Sequence, residues 1–468
     1  MKPLILLFLT TAHAQWEFTL PNAPPPKNPD LSNFYPPSRP LGPPSLPKSP
    51  PRPLPKHLSF ASDSEPDPGT YLPPPTWDTW YRAPDNYTLY TPGSILRIRN
   101  PAYNTTPIAI ANVATTFQLL FRSTDSRDNA SWGVTTVFIP TRPRPVNETQ
   151  PILSYQLPYD TSCVDASPSF GLQWGEPYGE IKAALARGWW VSVPDYEGPL
   201  ASYGANIVAG HVTLDSIKAV VTAARDIFGV KDVKVGMWGY SNGASATEAA
   251  VEFAERYAPN LTVAGAVIGG LAPNVGTAGP GLSRTQVAGL LVQGIIGVTS
   301  QYPAEREYVV SRLKTEGPYN GTEFFWASLM SGWQSLVYFC YVDIFAYFIG
   351  GQGDLDVPRM IDMFVREGTL GGFGTPRMKL FMYHAIEDDM TPVRDTDKLV
   401  EHHCANGANI LYHRNTWGGH NDELTNGRQR ALDFLGDVLD GSNVLEAPKE
   451  GCKTVNLTYM QPYEKEPA

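Results

Sequence analysis

Between Val233 and Tyr257 the chain runs from a short apolar strand, through Gly239-Tyr240-Ser241-Asn242-Gly243, into an alanine-rich helix. Few folds accommodate that succession. A strand that turns directly into a helix leaves no room for side chains beside the turn, which accounts for glycines two residues before and two after Ser241. The serine hydroxyl then stands at a helix N-terminus, where the backbone dipole favours developing negative charge. Gly239, Tyr240 and Gly243 frame Ser241 as a candidate nucleophile.

The surrounding sequence supplies a setting for such a turn. Thr115 to Arg122, Gly133 to Pro140, Pro151 to Leu157 and Trp189 to Pro194 read as strands rich in β-branched and aromatic residues. Helical patterns fall at Ile181 to Arg187, at about Thr213 to Phe228, and after Ser241 to about Tyr257. Further strands are expected at Leu261 to Ile268, Met378 to Tyr383 and near Ile410 to His413, with a last helix from about Asp422 to Leu439. Strands alternating with helices predict an α/β architecture, with a mostly parallel sheet covered on both faces. From about 271 to 372 the rhythm breaks into glycine-rich segments, an apolar helix near Val287 to Ile296, and an aromatic run from Phe324 to Tyr347. An insertion of that kind reads as a cap over a site.

The N-terminal region points to a compartment. Met1-Lys2-Pro3, the apolar run Leu4 to Leu9 and Ala12-His13-Ala14 have the pattern of a secretion signal over residues 1–14. The run is too short to span a bilayer, so no transmembrane segment is expected there. Residues 15–75 are crowded with proline and predict an extended leader, leaving 76–468 for the folded domain. Sequons at Asn86, Asn104, Asn129, Asn147, Asn260, Asn320 and Asn456 make sense in a glycosylating secretory route. Four cysteines, an even set, suit two disulfides in an oxidising compartment. Spacing alone does not choose among their three connectivities. The expected location is extracellular. A net charge of -10 offers no basic surplus for phosphates and excludes non-specific nucleic-acid binding as the expected role.

A serine hydroxyl needs a base, and the base needs a carboxylate to orient it. Five of the eight histidines lie downstream of Ser241. His420 sits in the glycine-rich stretch Thr416-Trp417-Gly418-Gly419-His420, between the last strand and the last helix, where a loop can bring an imidazole over the strand ends. His402 and His403 share an amphipathic helix with Lys398 and Glu401 and read as a solvated face. His413 reads as a structural strand residue. The acid is expected in His384-Ala385-Ile386-Glu387-Asp388-Asp389, where composition does not choose among the three acids; His384 reads as a structural hydrogen-bonding residue.

Over about Pro92 to Cys452 the chain resembles the fungal secretory lipases, an α/β-hydrolase family. The resemblance is carried by Pro92-Gly93-Ser94-Ile95-Leu96, Ser154-Tyr155-Gln156 with Asp160, Pro168-Ser169-Phe170 and Pro194-Asp195-Tyr196-Glu197-Gly198. Gly239 to Gly243, Tyr257-Ala258-Pro259-Asn260-Leu261, the HAIEDD turn from His384, and Cys404 to Ile410 continue it. The resemblance implies a triad of Ser241, Asp388 and His420, with oxyanion donors at Asp160 and Asn242. It further implies disulfides Cys163–Cys340 and Cys404–Cys452, and a lid and acyl-binding role for the insertion.

The reaction so implied is ester hydrolysis through an acyl-enzyme, foremost on triacylglycerols. Alternatives are an esterase or acyltransferase on small acyl esters, a serine peptidase, or a non-catalytic binding protein on the same fold. No cofactor or metal is expected, since no phosphate loop or metal-ligand spacing is present. The expected partner is an ester or lipid substrate, met at a lipid interface by the cap.

Overall fold

The computed structural model describes residues 73–102, 105, 112–173, 178–445 and 447–461. The expected signal peptide, nearly all of the proline-rich leader, and Asn104 lie outside them.

Ten strands form one sheet: β1 (Ile95–Arg99), β2 (Val113–Thr124), β3 (Ala130–Pro140), β4 (Thr149–Gln156), β5 (Trp190–Pro194), β6 (Asp232–Tyr240), β7 (Val263–Gly269), β8 (Lys379–Ala385), β9 (Asn409–Asn415) and β10 (Cys452–Leu457). Their order is β1-β2-β3-β5-β4-β6-β7-β8-β9-β10. The first three are joined to each other and to β5 in antiparallel fashion, and every pairing from β5 to β10 is parallel. All five residues of β5 are buried, as expected of a strand covered on both faces.

The principal helices are α1 (Gly179–Ala186), α2 (Asn206–Asp226), α3 (Asn242–Tyr257), α4 (Ala288–Ser300), α5 (Pro303–Arg312), α6 (Gly332–Tyr338), α7 (Pro358–Gly368), α8 (Val393–Ala405) and α9 (His420–Asp440). One hydrophobic cluster joins α2 and α3 to Phe117, Phe121, Met237, Ile268 and Met382 of the strands. The other packs α1 and α9 around Tyr155, Trp238, Phe381 and Tyr383. In that second layer Trp238 Nε1 donates to the Tyr383 hydroxyl at 3.2 Å, so the buried indole and phenol satisfy each other. α2 is long and apolar enough to cross a membrane, but its apolar surface is taken up by the sheet and by α3.

Two elements differ from the sequence reading for identifiable reasons. α2 begins seven residues before Thr213, and its first turns include Gly210. A Cβ there would lie 2.9 Å from Phe253 and 3.0 Å from the Ala249 backbone. The glycine permits a close crossing with α3 rather than breaking the helix. His403, expected on a solvated face, is fully buried and meets Glu248 of α3 at 2.6 Å.

The cap region is built of short helices around its own cluster, which includes Phe324, Phe339, Ile344, Tyr347 and Phe348. A disulfide joins Cys404, at the end of α8, to Cys452, at the start of β10. The pairing Cys163–Cys340 is corrected: both are free thiols, Cys163 buried and Cys340 exposed. Cys163 lies under the cap, in a segment whose neighbours bond to Gln293 and Met330, while Cys340 faces solvent beyond α6. Of the described sequon asparagines, Asn86, Asn129, Asn147, Asn260 and Asn456 are exposed; Asn320 is half-buried and its side chain caps a short helix.

Candidate active site

Ser241 stands at the junction of β6 and α3 with φ 55° and ψ −124°. Side chains rarely adopt such a conformation, and the packing around the turn enforces it. A Cβ on Gly239 would sit 2.0 Å from the Gly243 carbonyl oxygen. One on Gly243 would sit 1.9 Å from that of Gln156. Both glycines are therefore obligatory, and the Ser241 N–H is fixed by donation to the Gly269 oxygen at 2.9 Å.

The other two side chains arrive from the carboxyl ends of β8 and β9. His420 opens α9 and is 3 % exposed. Its Nε2 lies 3.0 Å from Ser241 Oγ and its Nδ1 lies 2.7 Å from Asp388 Oδ2. The backbone of His420 is held twice: its carbonyl accepts the Tyr240 hydroxyl at 2.6 Å, and its N–H donates to Asp389 at 3.2 Å. The three acids of the turn thus separate by geometry. Glu387 is exposed, Asp389 holds the histidine's main chain, and Asp388 meets its ring.

Asp388 is well supplied with donors. Oδ1 accepts the N–H groups of Met390 and Thr391 at 2.9 and 2.7 Å. Oδ2 faces His384 Nε2 at 3.3 Å as well as His420. Burial alone would raise its carboxyl, but the hydrogen bonds and charges of His384 and His420 outweigh that and hold it well below the usual carboxylate range. It is a lasting negative charge beneath the imidazole. The approach of His384, expected only to make a structural bond, was not legible in the sequence; a histidine four residues before the acid is its one trace.

The two residues expected to supply oxyanion donors lie on the other side of Ser241. Asn242 opens α3, and its N–H has no carbonyl one turn earlier in the helix to bond. Its side chain is anchored below, donating to Tyr196 Oη and Glu197 Oε1 at 3.0 Å each. Asp160 follows β4 with φ 48°, and its Oδ1 is buried without a hydrogen-bond partner. Burial pushes its carboxyl up to about 6, countered by the charge of His420. Glu197 is driven well above its usual range, by burial first and then by Asp160. The sequence did not expose this layer of buried acid and phenol; Asp195-Tyr196-Glu197 carried its only signal.

The cap bears directly on Asp160. A Cβ on Gly332 of α6 would lie 2.8 Å from the Asp160 carbonyl oxygen and 3.0 Å from that of Tyr159. Thr161 Oγ1 donates to the Met330 carbonyl at 2.7 Å, and the Ser162 N–H donates to Gln293 Oε1 at 2.8 Å.

A serine, a histidine and an aspartate converging on the carboxyl edge of a mainly parallel sheet define an α/β-hydrolase. Comparison with known proteins places the chain more closely. It belongs to the secretory lipase family, which matches residues 172–447. It is similar to the trichothecene C-3 esterase of Fusarium sporotrichioides, at 39 % identity over 82 % of this chain and 88 % of that one. It is also similar to lipase A of Arthroderma benhamiae, at 34 % identity over 83 % and 84 %. The X-ray structure of Candida antarctica lipase A superposes with a TM-score of 0.73 at 25 % identity, covering 83 % of this chain and 90 % of that one. The chain is a carboxylic-ester hydrolase of the lipase and esterase class.

Proposed function

We propose that Ser241, His420 and Asp388 hydrolyse esters through an acyl-enzyme. His420 Nε2 takes the Ser241 proton as Oγ attacks the ester carbonyl, and returns it to the leaving alcohol. Water then attacks the acyl-enzyme by the same route. Asp388 keeps Nδ1 protonated and stabilises the imidazolium that forms. The backbone N–H groups of Asn242 and Asp160 receive the oxyanion, where one missing donor typically costs roughly 10²–10³ in rate. The observation that carries the proposal is the continuous chain from Ser241 Oγ through His420 to Asp388, at 3.0 and 2.7 Å.

Triacylglycerol is the substrate class this reading favours. Leu329, Trp333 and Val337 are exposed on and beside α6, and they support contact between the cap and a lipid surface. A second reading, hydrolysis of a trichothecene ester, is favoured by the 39 % identity to the Fusarium trichothecene C-3 esterase. An extracellular location fits the family, the disulfide and the exposed sequons.

The test uses p-nitrophenyl esters of rising acyl length, a triacylglycerol emulsion, an acetylated trichothecene and a peptide, each with Ser241→Ala beside the native enzyme. Activity rising with acyl length and on the emulsion supports the lipase. Cleavage confined to acetyl esters supports the second reading. Undiminished turnover by Ser241→Ala would remove the mechanism altogether.

A further inference from the structure

Two turns along α3 from Ser241 lies a second cluster that the triad does not use. Glu248 and Glu252 stand on one face of the helix, and His403 of α8 closes over them. Their exposures are 0 %, 2 % and 0 %. His403 Nε2 is 2.6 Å from Glu248 Oε1 and 3.8 Å from Glu252 Oε1, and one ligand atom from each of the three falls within 4.8 Å of the others. Glu252 is fixed from the far side by the N–H groups of Gly371 and Phe373, at 2.6 and 2.8 Å. Glu248 Oε2 and His403 Nδ1 are buried with no hydrogen-bond partner.

Charge makes the cluster unusual. Neither carboxylate forms an ion pair with lysine or arginine among the described residues; a single imidazole faces both. Two buried carboxylates beside one histidine are expensive unless a cation or a proton neutralises them. A divalent ion balances two carboxylates and a neutral imidazole. It would also occupy the open valence of Glu248 Oε2.

We propose that Glu248, Glu252 and His403 bind one divalent transition-metal cation through one nitrogen and two oxygens, with Zn²⁺ as the probe. Ligand bonds of about 2.0–2.2 Å in a tetrahedron set donor atoms about 3.3–3.6 Å apart. The separations of 2.6 and 3.8 Å from His403 Nε2 lie on either side of that range, so small side-chain shifts admit the ion. The ion is structural: it ties the helix that presents Ser241 to α8, which Cys404 already anchors to β10. No motif betrays the site in the sequence, because Glu248 and His403 are 155 residues apart.

The full chain, secreted into zinc-supplemented medium and purified without chelator, is expected to carry about one zinc per molecule. Glu248→Gln, which keeps shape and hydrogen bonding but removes a charge, is expected to lower that to below about a tenth. Unfolding the native chain with a chelator, leaving the disulfide intact, and refolding it without metal lowers the midpoint of thermal unfolding; refolding with Zn²⁺ restores it. Native protein free of zinc after both secretion and refolding in excess Zn²⁺ overturns the proposal and assigns the cluster a shared proton. This arm does not depend on any variant folding. Stoichiometric zinc surviving in Glu248→Gln overturns it too, since the ion then lies elsewhere.

Discussion

His384 bonds to Thr391 and Asp388 rather than to Ser241, yet its removal is expected to slow the enzyme. Its Nε2 lies 2.8 Å from the Thr391 carbonyl and 3.3 Å from Asp388 Oδ2, while Nδ1 has no partner. With two acceptors at Nε2, that nitrogen carries the proton and shares it between them. A hydrogen bond to a charged group contributes roughly 1.5–3 kcal/mol. At 3.3 Å and shared with a carbonyl, about 1 kcal/mol is a fair share for Asp388, which corresponds to a roughly five-fold change in rate. His384→Ala should therefore lower kcat about 5–10-fold with little change in KM, because substrate binding does not involve it. His384 is one of four donors to the Asp388 carboxylate, and without it more of that negative charge falls on the His420 imidazole, so the acid limb of kcat/KM should move to higher pH. His384→Gln retains a donor and should recover most of the rate. The assay is a soluble short-chain p-nitrophenyl ester across pH. An alanine variant with native kcat and an unmoved acid limb, or a glutamine variant as slow as alanine, would refute the positioning role.

Gly243→Ala forces a Cβ to within 1.9 Å of the Gln156 carbonyl oxygen, so β4 and α3 must part by more than an ångström; turnover should fall by at least about 10², measured on folded protein by circular dichroism and ester hydrolysis. Asp195 accepts the Ser169 N–H and hydroxyl, and burial pushes its carboxyl up to about 7 against those bonds. A carboxyl raised above its unfolded value favours the fold at low pH, and that contribution is lost as pH climbs from about 4 to about 7. Asp195→Asn should therefore flatten the fall in Tm over that range, and an unchanged Tm profile would contradict the argument. Thiol titration should find one reactive cysteine in the native chain, Cys340, two after unfolding, and four after reduction; no free thiol in the unfolded chain, with all four appearing only on reduction, would restore the Cys163–Cys340 pair. Gly332→Ala crowds the Asp160 carbonyl at 2.8 Å and should lower kcat on a small soluble ester as well as on lipid; an effect confined to emulsified substrate would place α6 at the interface alone.

The central strands were legible because each is a short apolar run buried on both faces, a pattern independent of what lies far away in sequence. The edge strands were not. β1 reads Ile-Leu-Arg-Ile-Arg, and its Arg99 is accommodated by Gln118, Asp78 and the face of Trp80. β10 is largely exposed and owes its place to pairing with β9 and to the bond from Cys404. The serine was legible because its turn demands glycines at fixed positions. The choice among Glu387, Asp388 and Asp389 was not, because three adjacent acids differ only in where the backbone aims them. His403 misled for a related reason: charged neighbours on its helix suggest a wet face, and its true partner sits on another helix.

The catalytic elbow and the cap are built by different parts of this molecule, and they meet at Asp160. The elbow and the imidazole are held by the sheet, through Gly269, Gln156 and Tyr240. The stretch 160–162 is held from both sides: β4 delivers it, while Gln293, Met330 and Gly332 of the cap clamp it. A cap that moves must either carry Asp160 with it or break those bonds. On the proposed assignment of the Asp160 N–H to the oxyanion and of the cap to the acyl group, acyl preference and oxyanion geometry would be coupled. A change in the cap would then alter the rate of the chemical step along with the fit of the acyl group, so kcat and KM should change together along a substrate series.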